Sequence, residues 1–427
     1  MVAPTSTRIS TSGVFHCLLF WICCDIMVKK GGDFLIYRKF QNRKLPWLGM
    51  GAMRLPCGAD GAIDEAEAQR MIDSAMAAGV NYFDTSYFYH GGDSESFLRR
   101  ALGRHPRGAW LLADKMPGNM MRKIDGGIEV SGMNMPPRTI AHPREIFEYQ
   151  LDRCGVDFFD FYMLHNVSET TFAIYTDKDV GMVDYLLGEK KAGRIKHLGF
   201  SAHGRPETIK AFLEYLRERG DLERAAEFAM IQINYLDFTL QEAGKKYDIL
   251  TEFGVPVFVM EPVRGGRLCN LPKTAADILA AARPDLTQAQ WAFKYLQTFP
   301  NIAVVVSGMT TQEQLKENID IFRVDEPLRA ADLAVLDRVV GGLANLSPCT
   351  DCKYCLDICP VDLDIPKLLA MHNEAGYEVS WTLRNTLRGL DAARLPGNCT
   401  GCGACNPLCP QNIDIPAVLG RFADLIK

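Results

Sequence analysis

Eight of the chain's 14 cysteines lie in its last 79 residues and form two runs of identical spacing. The first is Cys349-x-x-Cys352-x-x-Cys355-x-x-x-Cys359-Pro360. The second is Cys399-x-x-Cys402-x-x-Cys405-x-x-x-Cys409-Pro410. Three thiolates at this spacing wrap one corner of an iron–sulfur cubane, and the fourth, before proline, commonly serves the other cluster where two are present. Zinc is the competing ion, but zinc sites typically pair two Cys-x-x-Cys units across a longer gap. Two complete copies therefore point to two 4Fe–4S clusters held by these eight thiolates. A second reactive set lies upstream. Asp84, Tyr87, Tyr89, Lys115 and His165 stand at or just past the ends of short apolar runs. A carboxylate, a phenol, an ammonium and an imidazole on one rim can hold, donate and steer a proton. Singly, a histidine at a strand end is more often structural, and a Lys–Asp pair is often just an ion pair. Their coincidence at consecutive run ends argues for chemistry.

Such groups need a scaffold that aligns strand ends. From residue 34 to about 320, apolar runs alternate with amphipathic segments of helix length. The runs are Trp47–Gly51, Asn81–Thr85, Trp110–Lys115, Phe158–His165, His197–Ser201, Ala229–Asn234, Pro256–Glu261 and Ile302–Ser307. Helical stretches between them include Asp64–Ala78, Arg144–Cys154, Val180–Ala192, Arg205–Arg219, Leu240–Phe253 and Thr287–Phe299. Eight strand–helix units predict an α/β fold, a (β/α)8 TIM barrel with its active groups at the carboxyl ends of the strands. An open doubly wound sheet would call for Gly-x-Gly-x-x-Gly after the first strand. The turn reads Gly49-Met50-Gly51-Ala52-Met53-Arg54, without the third glycine. Phe34–Phe40 and Leu45–Leu48 suit a hairpin closing the barrel floor. The long connection from Met116 to His142 reads either as a lid, with Met116, Met120, Met121, Met133 and Met135 lining a channel or docking surface, or as a flexible insertion.

The segment Phe83 to Tyr89, followed by Lys115 and then Leu164-His165, resembles the aldo-keto reductase family. The likeness runs from about residue 34 to 340. Gly199-Phe200-Ser201, Gln232-x-Asn234, and Glu317-Asn318 after Ser307-Gly308 agree with it. The resemblance implies a barrel and a nicotinamide cofactor, NADP or NAD, bound without a Rossmann domain. Hydride delivery to a carbonyl leaves an alkoxide that needs a proton. An unperturbed tyrosine, with a pKa of about 10, gives up its proton reluctantly. A nearby ammonium would stabilise the phenolate. The roles are then Tyr89 as proton donor, Lys115 and Asp84 as its tuners, and His165 as the group that orients the carbonyl. Tyr87 is the rival phenol, and family spacing favours Tyr89.

By the same resemblance, Ser201, Gln232 and Asn234 would meet the nicotinamide carboxamide. Ser307, Gly308, Gln314, Glu317 and Asn318 would meet the phosphate and adenine end. Glu317-Asn318 also reads as a solvated helix face. Members that prefer the 2′-phosphate form usually place a basic residue three before the Glu-Asn pair. This chain has Gln314 there, with Lys316 nearby, which leaves NADH and NADPH both open. Where many members stack a tyrosine after strand seven, this chain has Met260-Glu261-Pro262.

The cysteine runs repeat beyond their ligands. Cys359-Pro-Val-Asp-Leu-Asp-Ile-Pro parallels Cys409-Pro-Gln-Asn-Ile-Asp-Ile-Pro, so Asp364 and Asp414 should each cap a helix with proline in its first turn. Helical text also covers Ile365–Ala375 and Trp381–Leu390. The segment is similar to the all-helical dicluster ferredoxin module of respiratory and heterodisulfide reductases. The remaining cysteines (17, 23, 24, 57, 154 and 269) show no ligand spacing. Val324 to Leu346 reads as an amphipathic linker helix. The expected division is an N-terminal extension over 1–32, a barrel over 33–344 and a dicluster domain over 345–427.

The 427 residues carry 47 basic and 52 acidic side chains, a formal net charge of −5. That argues against nucleic acid as a partner. Cysteines clustered at one end favour metal binding in a reducing compartment, hence a cytoplasmic protein. Val14–Val28 is apolar but broken by His16 and Asp25, too short for a membrane span. The first 32 residues read as an upstream extension with Met27 as the start, or as an anchor or export signal. The function expected is an oxidoreductase acting on a carbonyl or alcohol, its clusters passing electrons to or from a redox partner protein. The alternatives are a reductase with structural or redox-sensing clusters, or a non-catalytic electron-transfer module. Splitting a hydride into single electrons normally needs a flavin. The chain has no flavin signature, although barrels can hold flavin without one.

Overall fold

The computed structural model describes residues 35–132, 135–343, 347, 349, 353, 355–376, 379, 384, 387, 390–409 and 411–427. The reading of the N-terminal extension, ligand Cys352 and most of the expected helix Trp381–Leu390 lie outside the described residues.

Eight strands pair in parallel and close on themselves. They are β1 (Leu48–Gly51), β2 (Tyr82–Asp84), β3 (Leu111–Met116), β4 (Phe159–Val167), β5 (Ile195–Ala202), β6 (Ala229–Gln232), β7 (Val257–Met260) and β8 (Ile302–Ser307). They run in chain order around the barrel, and β8 returns to β1 with Val305 opposite Leu48. Closure excludes the open doubly wound sheet. Helices α1 (Glu65–Ala77), α2 (Asp93–Leu102), α3 (Arg144–Cys154), α4 (Met182–Lys191), α5 (Pro206–Glu218), α6 (Ala243–Glu252), α7 (Lys273–Ala282), α8 (Gln288–Leu296), α9 (Gln312–Ile321) and α10 (Ala330–Gly342) accompany the strands. Local chemistry sets several starts. The Asp64 carboxylate accepts the Glu67 amide at 3.0 Å ahead of α1, and Thr287 and Gln290 form a reciprocal cap on α8. The expected helix Leu240–Phe253 begins later, at Ala243, because Glu242 takes φ +51° and breaks the run. α2 follows Gly91-Gly92, both at positive φ, a doublet that reads as loop in the sequence.

Alternation along each strand decides what faces inward. Tyr82, Ala113, Phe161, Phe228, Phe258 and Val304 belong to one buried cluster inside the barrel. Its aromatic rings meet at centroid distances such as 5.2 Å for Tyr82–Phe161 and 4.6 Å for Phe228–Phe258. The hairpin Tyr37–Phe40 with Arg43–Pro46 seals the floor, placing Phe40 and Leu45 in the same cluster. Gly49 sits where a Cβ would come 2.8 Å from the Tyr82 ring, so the packing requires a residue without one. Outward residues such as Leu112, Tyr162 and Leu164 join a second, larger core beneath the helices.

The connection after β3 is neither a bare lid nor an unstructured insertion. It forms a three-stranded antiparallel sheet of Met121–Ile124, Gly127–Gly132 and Met135–Ile140. Met116, Met120 and Met121 are buried in the outer core, so they pack rather than line a channel. The side chains of Met133 and Met135 lie outside the described residues.

After the barrel, α11 (Ile365–Ala375) and α12 (Ile415–Leu425) pack through a separate core that includes Leu368, Leu369, Val418, Leu419 and Phe422. Asp364 accepts the Lys367 amide at 3.3 Å, and Asp414 accepts that of Ala417 at 3.5 Å, repeating one helix start in both halves. Among the described residues no helix is long and apolar enough to cross a membrane.

Phe161 packs against five other rings, those of Phe40, Tyr82, His197, Phe228 and Phe258. Phe161→Ala should lower the unfolding free energy by about 3–5 kcal/mol. Truncating the exposed Val324 to Ala should change it by no more than about 0.5 kcal/mol. Denaturant titration of the two variants checks the contrast.

Candidate active site and cluster sites

Continuing the inward parity two residues beyond the buried layer brings the reactive side chains to one rim. Tyr82 leads to Asp84, Ala113 to Lys115, Met163 to His165 and Met230 to Gln232. Lys115 Nζ donates to Asp84 Oδ1 at 2.5 Å and to the Thr85 carbonyl at 2.6 Å. Both side chains are almost wholly buried, at 2% and 4% exposure. The ammonium lies 4.8 Å from the centre of the Tyr89 ring. Burial alone would lower the Lys115 pKa, but Asp84 and Tyr89 outweigh it, and Lys115 stays cationic. For Tyr89 the balance runs the other way. Burial raises its pKa further than the ammonium lowers it, so the phenol is held above its ordinary value. Lys115 acts on the phenol in the expected direction, and burial is the larger effect.

His165 is buried, and burial, reinforced by Lys115 and His203, pushes its pKa well below 6.5, so the imidazole is neutral. Phe88 stacks on its ring at 5.1 Å, with 1° between the planes. Ser86 Oγ lies 3.2 Å from its Nδ1, and Tyr175 donates to its carbonyl at 2.5 Å. The imidazole is thus clamped on several sides. Tyr87 packs instead on Tyr149, with ring centres 5.8 Å apart, and Arg138 acts on its phenol. The cleft is lined by Asp84 and Tyr89, and Tyr87 is not among its lining residues.

The backbone of Lys115 is fixed from behind. Its amide donates to Asp114 Oδ1 at 2.8 Å, and its carbonyl accepts from Gln150 Nε2 at 3.1 Å. Asp114, Glu95 and Cys154 form a buried group on this outer side of β3. Burial pushes Glu95 up to about 7.

The cleft is bounded by Gly51, Arg54, Glu261, Gly265, Gly266 and Gly308, over a floor that includes Met230 and Met260. A Cβ on Gly308 would approach Arg54 at 3.1 Å, and one on Gly51 would approach Val306 at 3.1 Å, so the walls depend on small residues. Arg54 and Glu261 form an ion pair at 3.0 Å. Ser201 Oγ accepts the Asn166 amide at 2.8 Å, and Asn166 Oδ1 is buried without a partner among the described residues. Gln232 Nε2 donates to Asp237 Oδ2 at 2.7 Å. Asn234 is fully buried and occupied within the fold. It donates to Asp237 and to the Glu261 carbonyl, and accepts the amides of Leu236 and Asp237. That geometry suits positioning rather than a ligand contact.

At the far end, Ser307 Oγ accepts from Asn318 Nδ2 at 2.9 Å, and Glu317 accepts from Thr287 Oγ1 at 2.6 Å. Gln314 Oε1 accepts the Thr310 amide at 2.8 Å. Sequence reasoning did not single out Arg54, Asn166, Glu261 or the Gly265-Gly266 doublet. The doublet after Pro262, with both φ values positive, was the available signal. The residues present fit a nicotinamide nucleotide: small-residue walls, a protonated phenol in Tyr89, and an amide oxygen in Asn166 without a partner among the described residues, beside Ser201.

In the cluster module the thiols sort into two cavities that cross the runs. One is lined by Cys349, Cys355 and Cys409, the other by Cys359, Cys399, Cys402 and Cys405. None of these seven is in a disulfide. Sulfur donors grouped three plus one around one space and, among the described residues, two plus one around the other fit two cubanes, with the proline-linked cysteine of each run lining the other's site.

The Aldo/keto reductase family model matches residues 47–340, and the 4Fe-4S dicluster domain model matches residues 345–413. An uncharacterized oxidoreductase of Bacillus subtilis, YqkF, is 28% identical over 293 residues, covering 64% of this chain and 85% of that protein. The NADH-specific methylglyoxal reductase of Escherichia coli is 24% identical over 330 residues, covering 69% and 95%. The holo form of the aldo-keto reductase AKR11C1 from Bacillus halodurans superposes with a TM-score of 0.55 at 25% identity, covering 71% and 96%. The chain belongs to the aldo/keto reductase family, as an NAD(P)-dependent oxidoreductase with a C-terminal 4Fe–4S dicluster domain.

Crossed ligation has a measurable signature. Iron analysis of Cys359→Ser/Cys399→Ser should show the loss of one cluster, because both thiols line one cavity. Cys359→Ser/Cys409→Ser should lose both. If the first pair lost both, ligation would follow the runs instead.

The neutral His165 also sets a pH dependence. The unfolded chain takes up a proton near 6.5 that the folded site refuses, so stability is lost as pH falls below that value. Between pH 6.5 and 5 this amounts to up to about 2 kcal/mol. His165→Asn should flatten that acid limb in denaturant titrations at pH 7 and pH 5.

Proposed function

We propose that this protein transfers hydride between NAD(P)H and a small carbonyl or alcohol substrate, and that its two clusters carry electrons to or from a redox partner protein. The observation that supports the reading best is the Asp84–Lys115 pair set against Tyr89 in a cleft walled by small residues. The nicotinamide, when bound, supplies the hydride. Tyr89 donates the phenolic proton to the alkoxide that forms on the substrate carbon. The Lys115 ammonium, kept charged by Asp84, stabilises the phenolate left behind. Neutral His165, clamped by Phe88 and Ser86, orients the carbonyl oxygen without adding a second positive charge. Ser201, Gln232 and Asn166 would orient the carboxamide. Ser307, Gly308, Glu317 and Asn318 would meet the phosphate and adenine end.

Eight cysteines spent on cluster ligation rather than on disulfides suit a reducing, cytoplasmic setting. The working division is a barrel over 33–344 and a dicluster domain over 345–427, after the extension 1–32.

The test uses anaerobically purified protein with both clusters loaded. Tyr89→Phe should lower kcat/KM for aldehyde reduction by about 10²-fold or more while leaving the visible cluster bands intact. Tyr87→Phe should retain most of the activity. Unchanged turnover in the Tyr89 variant would sink the hydride assignment. For the clusters, NAD(P)H or an alcohol substrate should drive reduction of a viologen acceptor, and Cys355→Ser should abolish it. A wild-type protein that turns over aldehyde but never reduces the acceptor would confine the clusters to another role.

A further inference from the structure

The outer side of β3 holds a group of reactive side chains that the hydride chemistry leaves unused. Asp114, immediately before Lys115, meets Glu95 from the first turn of α2 and Cys154 from the end of α3, with their polar atoms all within 4.8 Å of one another. Asp114 and Glu95 are wholly buried, and Cys154 is 3% exposed. Arg153 donates to the carbonyl of Gly92, which fixes the entry into α2 and with it Glu95.

Two carboxyl groups buried side by side are costly to ionise together. Their partners are unequal. Glu95 accepts from Gln150 Nε2 at 3.0 Å and has Arg153 Nε at 3.3 Å. Asp114 Oδ1 accepts the Lys115 amide, and among the described residues its Oδ2 has the Cys154 thiol as its one donor, at 3.6 Å. The two carboxyls are within hydrogen-bonding reach of each other, and a bond between them requires a proton. That proton belongs on Asp114 Oδ2, donated to Glu95. Arg153 already brings a positive charge to Glu95, so a proton rather than a metal ion completes the balance.

The other charges that face the pair are fixed. Lys115 on β3, paired with Asp84, stays cationic, and so does the Arg153 guanidinium on α3. Burial holds the Cys154 thiol, the Tyr162 phenol on β4 and the Tyr87 phenol past β2 above their ordinary pKa values, so all three stay neutral. Above the value of about 7 to which burial pushes Glu95, the proton left to lose is the shared one. Its departure reaches the cleft, because the Asp114 charge acts on Lys115. A carboxylate there adds a second negative charge beside the ammonium and opposes the phenolate that Tyr89 must become.

We infer that Asp114 and Glu95 share one proton, that it rests on Asp114 while the enzyme works, and that the pair is a positioning element behind Lys115 whose ionisation sets the alkaline limit of carbonyl reduction. The inference rests on the hydride reading of the cleft and adds a control to it.

The test joins a pH profile to a signal that needs no turnover, both on cluster-loaded protein. With saturating NADPH or NADH and aldehyde, kcat should fall about tenfold between about pH 7 and about pH 9, before Tyr89 itself ionises. Asp114→Asn keeps an acceptor for the Lys115 amide and a donor for Glu95 but cannot ionise. Its kcat at about pH 9 should stay within about twofold of its own value at about pH 7. Glu95→Gln removes the neighbouring charge, so Asp114 should ionise earlier and the fall should move toward acid by about one pH unit. Infrared difference spectra over the same range should show a protonated-carboxyl carbonyl band that is lost with rising pH in the wild type, lost earlier in Glu95→Gln, and missing from Asp114→Asn. An alkaline fall that survives unchanged in both variants, or a wild type with no such band, would overturn the assignment. A band that titrates as described in a protein that never turns over aldehyde would sink the hydride reading, and with it the alkaline limit, while leaving the shared proton in place.

Discussion

A buried ammonium is the constraint around which the rim is built. Lys115 sits at the mouth of the barrel with almost no solvent contact, and taking such a charge out of water is costly unless another charge and good hydrogen bonds compensate it. Asp84 and the Thr85 carbonyl supply that compensation from the neighbouring strand. Removing one partner of such a pair costs on the order of 3–5 kcal/mol, because the other is left buried and uncompensated. The same pair sets the electrostatics of Tyr89 and helps to keep His165 neutral. Stability and chemistry thus depend on one contact. The outer side of β3 supports it through Asp114 and Gln150, which fix the Lys115 backbone, and Tyr162, whose hydroxyl donates to Gln150 Oε1 at 2.5 Å.

The cluster module solves a different problem. Each cysteine run can place three sulfurs around one corner, but its fourth leads directly into a helix that packs against the other half. Asp364 and Asp414 start those helices in the same way, and α11 and α12 share one small apolar core. The proline-linked cysteine is thereby delivered to the opposite cavity. The two short repeats share one small core, and the cysteine before proline in each lines the cavity of the other. The matching Asp-Ile-Pro at each helix start reflects that symmetry, and the cavity against the barrel breaks it, since only the first half meets Arg264 and Arg267.

Much of this was legible in the chain. All eight strand positions appear as apolar runs, and the cysteine spacing announces the clusters, because both signals are local and periodic. α2 and α7 were not legible. The first hides behind a glycine doublet, and the second is short and rich in alanine, with nothing in its text that marks a packed face. The sheet inserted after β3 was read as a lid or a loop. Its strands are interrupted by Gly, Pro and Met, and what holds them is pairing with one another and burial of Ile128, Val130 and Ile140 against the main core.

The amino-acid sequence by itself determined the alternation that turns Asp84, Lys115 and His165 to one side of their strands, the thiolate spacing, and the paired helix starts, since each depends on residues a few positions apart. Tertiary structure alone decided which phenol meets the ammonium, whether Tyr89 is held above or below its ordinary pKa, that Asn234 is consumed inside the fold, and which cysteines share a cavity. Those outcomes depend on burial and on distances between segments far apart in the chain, and neither quantity is written in local spacing.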